Sequence, residues 1–164
     1  MDLQAILAQV NFFRGLDDAS RRALAEICIP RAIRRRDVLF REGDEGHSMY
    51  LLNRGQVRLH KTAPDGTERV IKVVRPGETF AEIVLFEQNR YPVTATALSD
   101  GGVFLLPRRD VRALLRRDEF RDSFIGMLMA KLRHLSERVL FLTQCDVEER
   151  LFQFLEEQYG DQDP

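Results

Sequence analysis

Apolar and polar positions change period twice along the chain. Over residues 2–29 the spacing is helical: in "LDDASRRALAEIC", Leu16, Ala19, Ala23, Leu24 and Ile27 recur at steps close to a helical turn, with Asp17 or Asp18 ahead of them as N-cap. From about residue 31 the pattern shortens. In "QVRLHK", Val57 and Leu59 alternate with Arg58 and His60, as in a strand with one wet face. Pro64-Asp65-Gly66 predicts a turn, so that 56–62 and 68–74 form a hairpin, and more strands are predicted over 93–98 and 103–106. Short strands divided by Gly and Pro turns predict an antiparallel sandwich or jelly roll.

At residue 108 the helical period returns. "RRDVRALLRR" is a short helix, and a long one is predicted over 118–144, with Gly126 its interior breaker. Along it Ile125, Leu128, Leu132, Leu135, Val139 and Leu142 recur at steps of three and four, an a/d seam of nearly three heptads. The seam packs either on its own β-domain or on a second copy of the chain. The other faces carry Arg133, Glu137, Arg138 and Gln144, so the apolar stripe is narrow. A helix of about 26 residues is also roughly 39 Å long, more than the width of so small a domain. Both points favour a two-fold dimer. Asp146 interrupts the seam and, with Glu149, reads as a capping box opening another helix, "VEERLFQFLEEQYG".

Composition narrows the field. The 164 residues suffice for one domain with an appendage, and 44% of them are apolar. A net charge of −1 gives no overall basic field for nucleic acid. Cys28 and Cys145 are too few and too far apart for a disulfide framework or a Cys-rich metal site. No apolar run is long enough to span a membrane, and "MDLQAILAQV" lacks a basic n-region, so a cytoplasmic chain is expected. No Ser/His/Asp spacing, metal signature or phosphate loop suggests an enzyme.

Four stretches carry a resemblance: "FFRGLDDASRRALAEI", "VLFREGDEGHSMYLLNRGQVRLHKTAPDGTERVI", "VVRPGETFAEIVLF" and "ATALSDGGVFLLPRRDVRALL". With Gly43, Gly55, Gly66 and Gly77 at the turns and the seam helix behind them, the chain resembles the sensory domain of the CRP/FNR superfamily of bacterial transcription regulators. The resemblance implies an α+β fold. An antiparallel double-stranded β-helix (jelly roll) is flanked by N-terminal helices and followed by a long C-terminal dimerisation helix. It implies a β-roll sensory domain over 1–117, the dimerisation helix over 118–145, and a hinge with the start of the next helix over 146–164. It further implies a homodimer that reaches DNA through a helix-turn-helix domain not in this chain, with RNA polymerase a further partner of the full-length protein. The chain ends at Pro164, too soon after Asp146 for that domain. It is expected to be either the sensory half of a longer regulator or a stand-alone sensor.

Cyclic-nucleotide binders of the family carry Gly-Glu after a Phe, then Arg with a small hydroxyl residue. The Glu accepts from the ribose hydroxyl; the Arg and neighbouring backbone N–H groups hold the phosphate. Here the matching ligand-binding stretch is Phe80, Ala81, Glu82, Arg90, Tyr91 and Pro92, with Leu135 and Ser136 expected to face the ligand from the long helix. Glu82 matches, whereas Ala81 replaces the Gly, and Arg90 is followed by bulky Tyr91 and by Pro92, which has no N–H. The altered motif resembles the nitrosative-stress branch, the dissimilatory nitrate respiration and hybrid cluster protein regulators. That likeness implies heme and nitric oxide sensing. Phe80, Ile83, Val84, Leu85 and Phe86 would form an apolar wall, and His134 is the candidate iron ligand. Cyclic AMP and a ligand-free dimerisation module remain the alternatives.

Overall fold

The computed structural model describes residues 3–10, 12–63, 65–87 and 89–144. The helical stretch expected over 2–29 is divided into α1 (Leu3–Gln9) and α2 (Asp18–Glu26). Between them the chain turns through Gly15 at φ 104°, and by residue 29 it is already a strand. Asp17, not Asp18, is the N-cap of α2: its carboxylate accepts from the N–H of Ser20 at 2.7 Å. Hydrogen bonding from Ser123, and then from Ser20, holds that carboxyl below its ordinary pKa.

Eight strands follow: β1 (Ile29–Ile33), β2 (Val38–Phe40), β3 (Ser48–Arg54), β4 (Val57–Thr62), β5 (Glu68–Val74), β6 (Thr79–Phe80), β7 (Thr94–Ala97) and β8 (Gly101–Pro107). They form two four-stranded sheets, ordered β1-β8-β3-β6 and β2-β7-β4-β5, and every pairing is antiparallel. This is the expected jelly roll. Its core joins Tyr50, Leu52 and Val103 from the first sheet to Phe40, Val57, Val74 and Ala95 from the second. Gly43, Gly55, Gly66 and Gly77 all lie at positive φ, as their turn positions require.

The β4–β5 hairpin has the expected strands, with a register shift between Leu59 and His60. Pro64 lies outside the described residues; the turn is fixed by Asp65, whose carboxylate accepts from the N–H and hydroxyl of Thr67. His60 departs from the wet-face expectation, being only 4% exposed. Its Nε2 is 3.1 Å from the Thr96 hydroxyl, and the Arg58–Glu68 ion pair stands beside it, with Glu68 3.7 Å from its Nδ1.

Two helices follow, α3 (Arg108–Leu114) and α4 (Asp118–Gln144). The chain forms two compact units, Met1–Phe124 and Ile125–Pro164. In the first unit Phe124 is buried, with its ring 5.8 Å from that of Phe86. In the second, Ile125, Leu132, Leu135 and Val139 are about half exposed, between 47% and 59%, and Leu128 is partly buried. The side chain of Leu142, the Asp146–Glu149 capping box and the helix expected after it lie outside the described residues. No helix among the described residues is long and apolar enough to cross a membrane.

Candidate functional site

The site is built where the chain leaves β6. After Phe80 the backbone turns through Ala81 at φ 64° and ψ 25°, the left-handed region, and enters a short 3-10 turn over Glu82–Leu85. A residue with a Cβ is strained there by about 1–2 kcal/mol, so the turn keeps a glycine's geometry without the glycine. The turn is closed by Val84 N–H donating to Ala81 O and Phe86 N–H to Ile83 O, both at 3.3 Å. Gly46 makes room for it: a Cβ on Gly46 would lie 2.6 Å from Cγ1 of Val84.

Around this turn lies a cavity of about 270 Å³, lined by Phe40, Leu59, Ala81, Glu82, Ile83, Pro92 and Val93. Glu82 is its one charged group, and its carboxylate accepts from the Thr79 hydroxyl. The lining contains no Lys or Arg, and no His, Cys or Met. It can hold an apolar or hydroxyl-bearing molecule, with Glu82 as acceptor. It opposes an anion, because a carboxylate with no cation among the described lining residues raises the cost of a second negative charge.

The sequence-derived ligand residues separate in space. Ala81, Glu82 and Pro92 line this cavity. Arg90 does not: its exposed guanidinium donates to Gly43 O at 2.6 Å, and its backbone bridges Glu45. Phe80 and Tyr91 are core residues, 2% and 4% exposed. Tyr91 stacks on Phe40 with ring centroids 3.8 Å apart, and Phe80 stacks on Tyr50 at 5.1 Å. Burial first, then neighbouring Tyr91, pushes the Tyr50 phenol pKa well up. The Tyr91 hydroxyl donates to Ser48 O at 2.9 Å and accepts from Ser48 N–H at 3.2 Å. Ser48 needs this partner because β6 pairs only with Tyr50 and Leu51 and stops short of it. Leu135, Ser136 and His134 are exposed residues of the second unit.

Of the apolar wall expected over Phe80–Phe86, only Ile83 lines the cavity. Val84 and Leu85 are buried in the core, and Phe86 is half exposed beside Phe124. The opposite wall, Phe40, Leu59 and Val93, went unrecognised in the sequence. Strand alternation places Leu59 on the same face as Val57, and that was the available signal. Among the described residues no group of three or more His, Cys, Asp or Glu side chains could hold a metal.

Comparison with known proteins decides the family. The Cyclic nucleotide-binding domain family matches residues 30–118. The chain belongs to this family. It is 25% identical over 150 residues to the CRP-like cAMP-activated global transcriptional regulator of Mycobacterium tuberculosis, covering 91% of this chain and 67% of that protein. To the Cyclic AMP receptor protein of Thermus thermophilus it is 35% identical over 111 residues, covering 68% of this chain and 50% of that one. The chain thus spans between half and two thirds of these curated relatives, and they mark it as a domain of the CRP/FNR type. Among solved structures, a putative cyclic nucleotide binding protein from Ruegeria pomeroyi superposes with a TM-score of 0.77 at 28% identity, covering 94% of this chain and 69% of that one. The sensor domain of the transcriptional regulator DNR from Pseudomonas aeruginosa shares the fold, with a TM-score of 0.69 at 24% identity, covering 88% of this chain and 93% of that one.

Proposed function

We propose that this chain is the sensory and dimerisation part of a cytoplasmic CRP/FNR-type transcription regulator whose effector is not a cyclic nucleotide but an apolar molecule seated against Ile83 and Val93. One observation carries the reading. The cavity at the left-handed turn has a carboxylate and no cation among its described lining residues, while Arg90 is engaged at Gly43 and Tyr91 is built into the core. A cyclic phosphate brought there would lose its hydration without gaining an ion pair or a backbone cradle, since Pro92 has no N–H to offer.

Heme with nitric oxide is the apolar effector that the sequence resemblance implies. The described cavity does not fit it: about 270 Å³ lies below the usual range for sites of drug-sized ligands, and its described lining has no His, Cys, Met or Tyr to serve as an axial ligand of heme iron. Cyclic AMP stays as the second reading because Glu82 and the left-handed turn at residue 81 are both in place. Thermal shift of the purified chain decides among the three. The expected result is no rise in Tm with millimolar cyclic AMP and no Soret band after hemin addition. A Tm rise with cyclic AMP that Glu82→Ala abolishes would overturn the reading, and a nitric-oxide-sensitive Soret band would restore heme.

The partner proposed for α4 is a second copy of this chain. Support comes from the spacing of Ile125, Leu132, Leu135 and Val139, about half exposed along one helix, since such a stripe is costly to leave in water. In the full-length protein the paired helices would lead into DNA-binding domains, and effector binding would bias how the helices pair. Leu135→Asp should leave a monomer in sedimentation velocity; an unchanged dimer would reject pairing through this stripe.

A further inference from the structure

A second cavity in the first unit has the opposite chemistry. Between the end of β8 and the start of α4 the chain carries Arg108, Arg109, Arg112, Arg116 and Arg117 against one carboxylate, Asp110. Four of these, Arg108, Arg109, Arg112 and Arg116, line one cavity of about 530 Å³, with His47 across from them on the β2–β3 connection. Steps of four along the chain set Arg108, Arg112 and Arg116 on one side of α3 and its C-terminal turn.

The fold does not neutralise them. Asp110 takes Arg109, at 2.9 Å. Arg108 donates through Nη2 to the Asn89 side-chain oxygen, an uncharged partner, and its buried Nε has no hydrogen-bond partner among the described residues. Arg112 donates to Leu85 O at 3.3 Å. Among the described residues no ion pair holds Arg108, Arg112 or Arg116. Three guanidinium groups converging on one hollow repel one another, and the whole chain, at net charge −1, has no general basic excess to explain them. A concave site walled by such forks matches the oxygen geometry of phosphate, and its volume lies within the range for small-molecule sites.

We propose that this cavity binds a small anion carrying two or more phosphate groups, held by Arg108, Arg112 and Arg116. An acidic protein surface is the weaker fit, because the arginines gather around one cavity with Arg108 half-buried in its wall. The site shares no residue with the apolar cavity, so it stands or falls independently of the effector proposed there.

The test is isothermal titration of the chain at low ionic strength with sodium pyrophosphate and with tripolyphosphate. Saturable one-to-one binding is expected. The double variant Arg112→Ala/Arg116→Ala, both positions exposed, should weaken it at least about tenfold with Tm in the absence of ligand unchanged, while Arg69→Ala on exposed β5 should not. Three outcomes would overturn the proposal: no saturable binding, equal loss in the Arg69 control, or full affinity in the double variant. A hexaglutamate peptide that binds where both phosphates fail would assign the surface to a protein partner instead.

Discussion

The two cavities of the first unit lie in one β-roll and differ in sign. The one at Ala81–Glu82 is built on a turn whose first residue is left-handed, at φ 64°, and its described lining holds a single carboxylate and no cation. The one at α3 has no such turn and gathers four arginines. Backbone geometry and charge have therefore come apart. A turn can persist because strand pairing and Gly46 enforce it, while the ligand chemistry depends on two or three side chains that change without disturbing the fold. Family membership accordingly predicts the position of a pocket better than it predicts the occupant.

Tyr91 offers the largest test of that contrast, because its ring, stacked on Phe40, belongs to the core rather than to the ligand. Tyr91→Ala should cost about 3–5 kcal/mol in urea denaturation, as for other buried aromatic truncations. A loss below about 1 kcal/mol would mean that the ring is free to leave and the cavity free to enlarge. Tyr91→Phe keeps the stack and removes only the hydroxyl that serves both polar groups of Ser48. It should cost about 1–2 kcal/mol, the penalty of leaving buried polar groups unpaired.

Ala81→Gly has the smallest effect and separates two explanations. Relief of the left-handed strain, less the extra freedom glycine has when unfolded, should stabilise the chain by up to about 1 kcal/mol. It also removes the Cβ that narrows the cavity. On the proposed reading the variant should still ignore cyclic AMP, since that reading assigns the exclusion to the lack of a cation and not to the methyl group. Cyclic AMP binding by Ala81→Gly alone would show that crowding was the cause. Cys28 gives a parallel check on the core: burial pushes its thiol up to about 12, so it should react slowly with a thiol reagent at pH 8 in the folded chain and quickly in denaturant.

Much of the fold was legible because it rests on local rules. The Asp17 cap, the β4–β5 hairpin, the four glycine turns and the span of α4 each follow from a few adjacent residues. What escaped depends on contacts distant in sequence. His60 looks wet from alternation alone, and only Thr96 and the Arg58–Glu68 pair close over it. Arg90 is adjacent to Tyr91, yet one turns out toward Gly43 and the other inward to Phe40, a choice fixed by the 43–46 turn pairing with 89–91. The arginine-lined cavity was visible as "RRDVRALLRR", but a charge run on a short helix reads as a solvated face until His47 is found opposite it.

The central claim, that phosphate is taken at the arginine-lined cavity and not at the Ala81–Glu82 turn, is tested most directly by amide chemical shifts of the isotope-labelled chain titrated separately with cyclic AMP and with pyrophosphate. The account predicts that cyclic AMP leaves the amides of residues 79–87 unmoved, while pyrophosphate shifts those of His47, Arg109 and Arg112 to saturation. Saturable shifts at Ala81, Glu82 and Ile83 with cyclic AMP would contradict it.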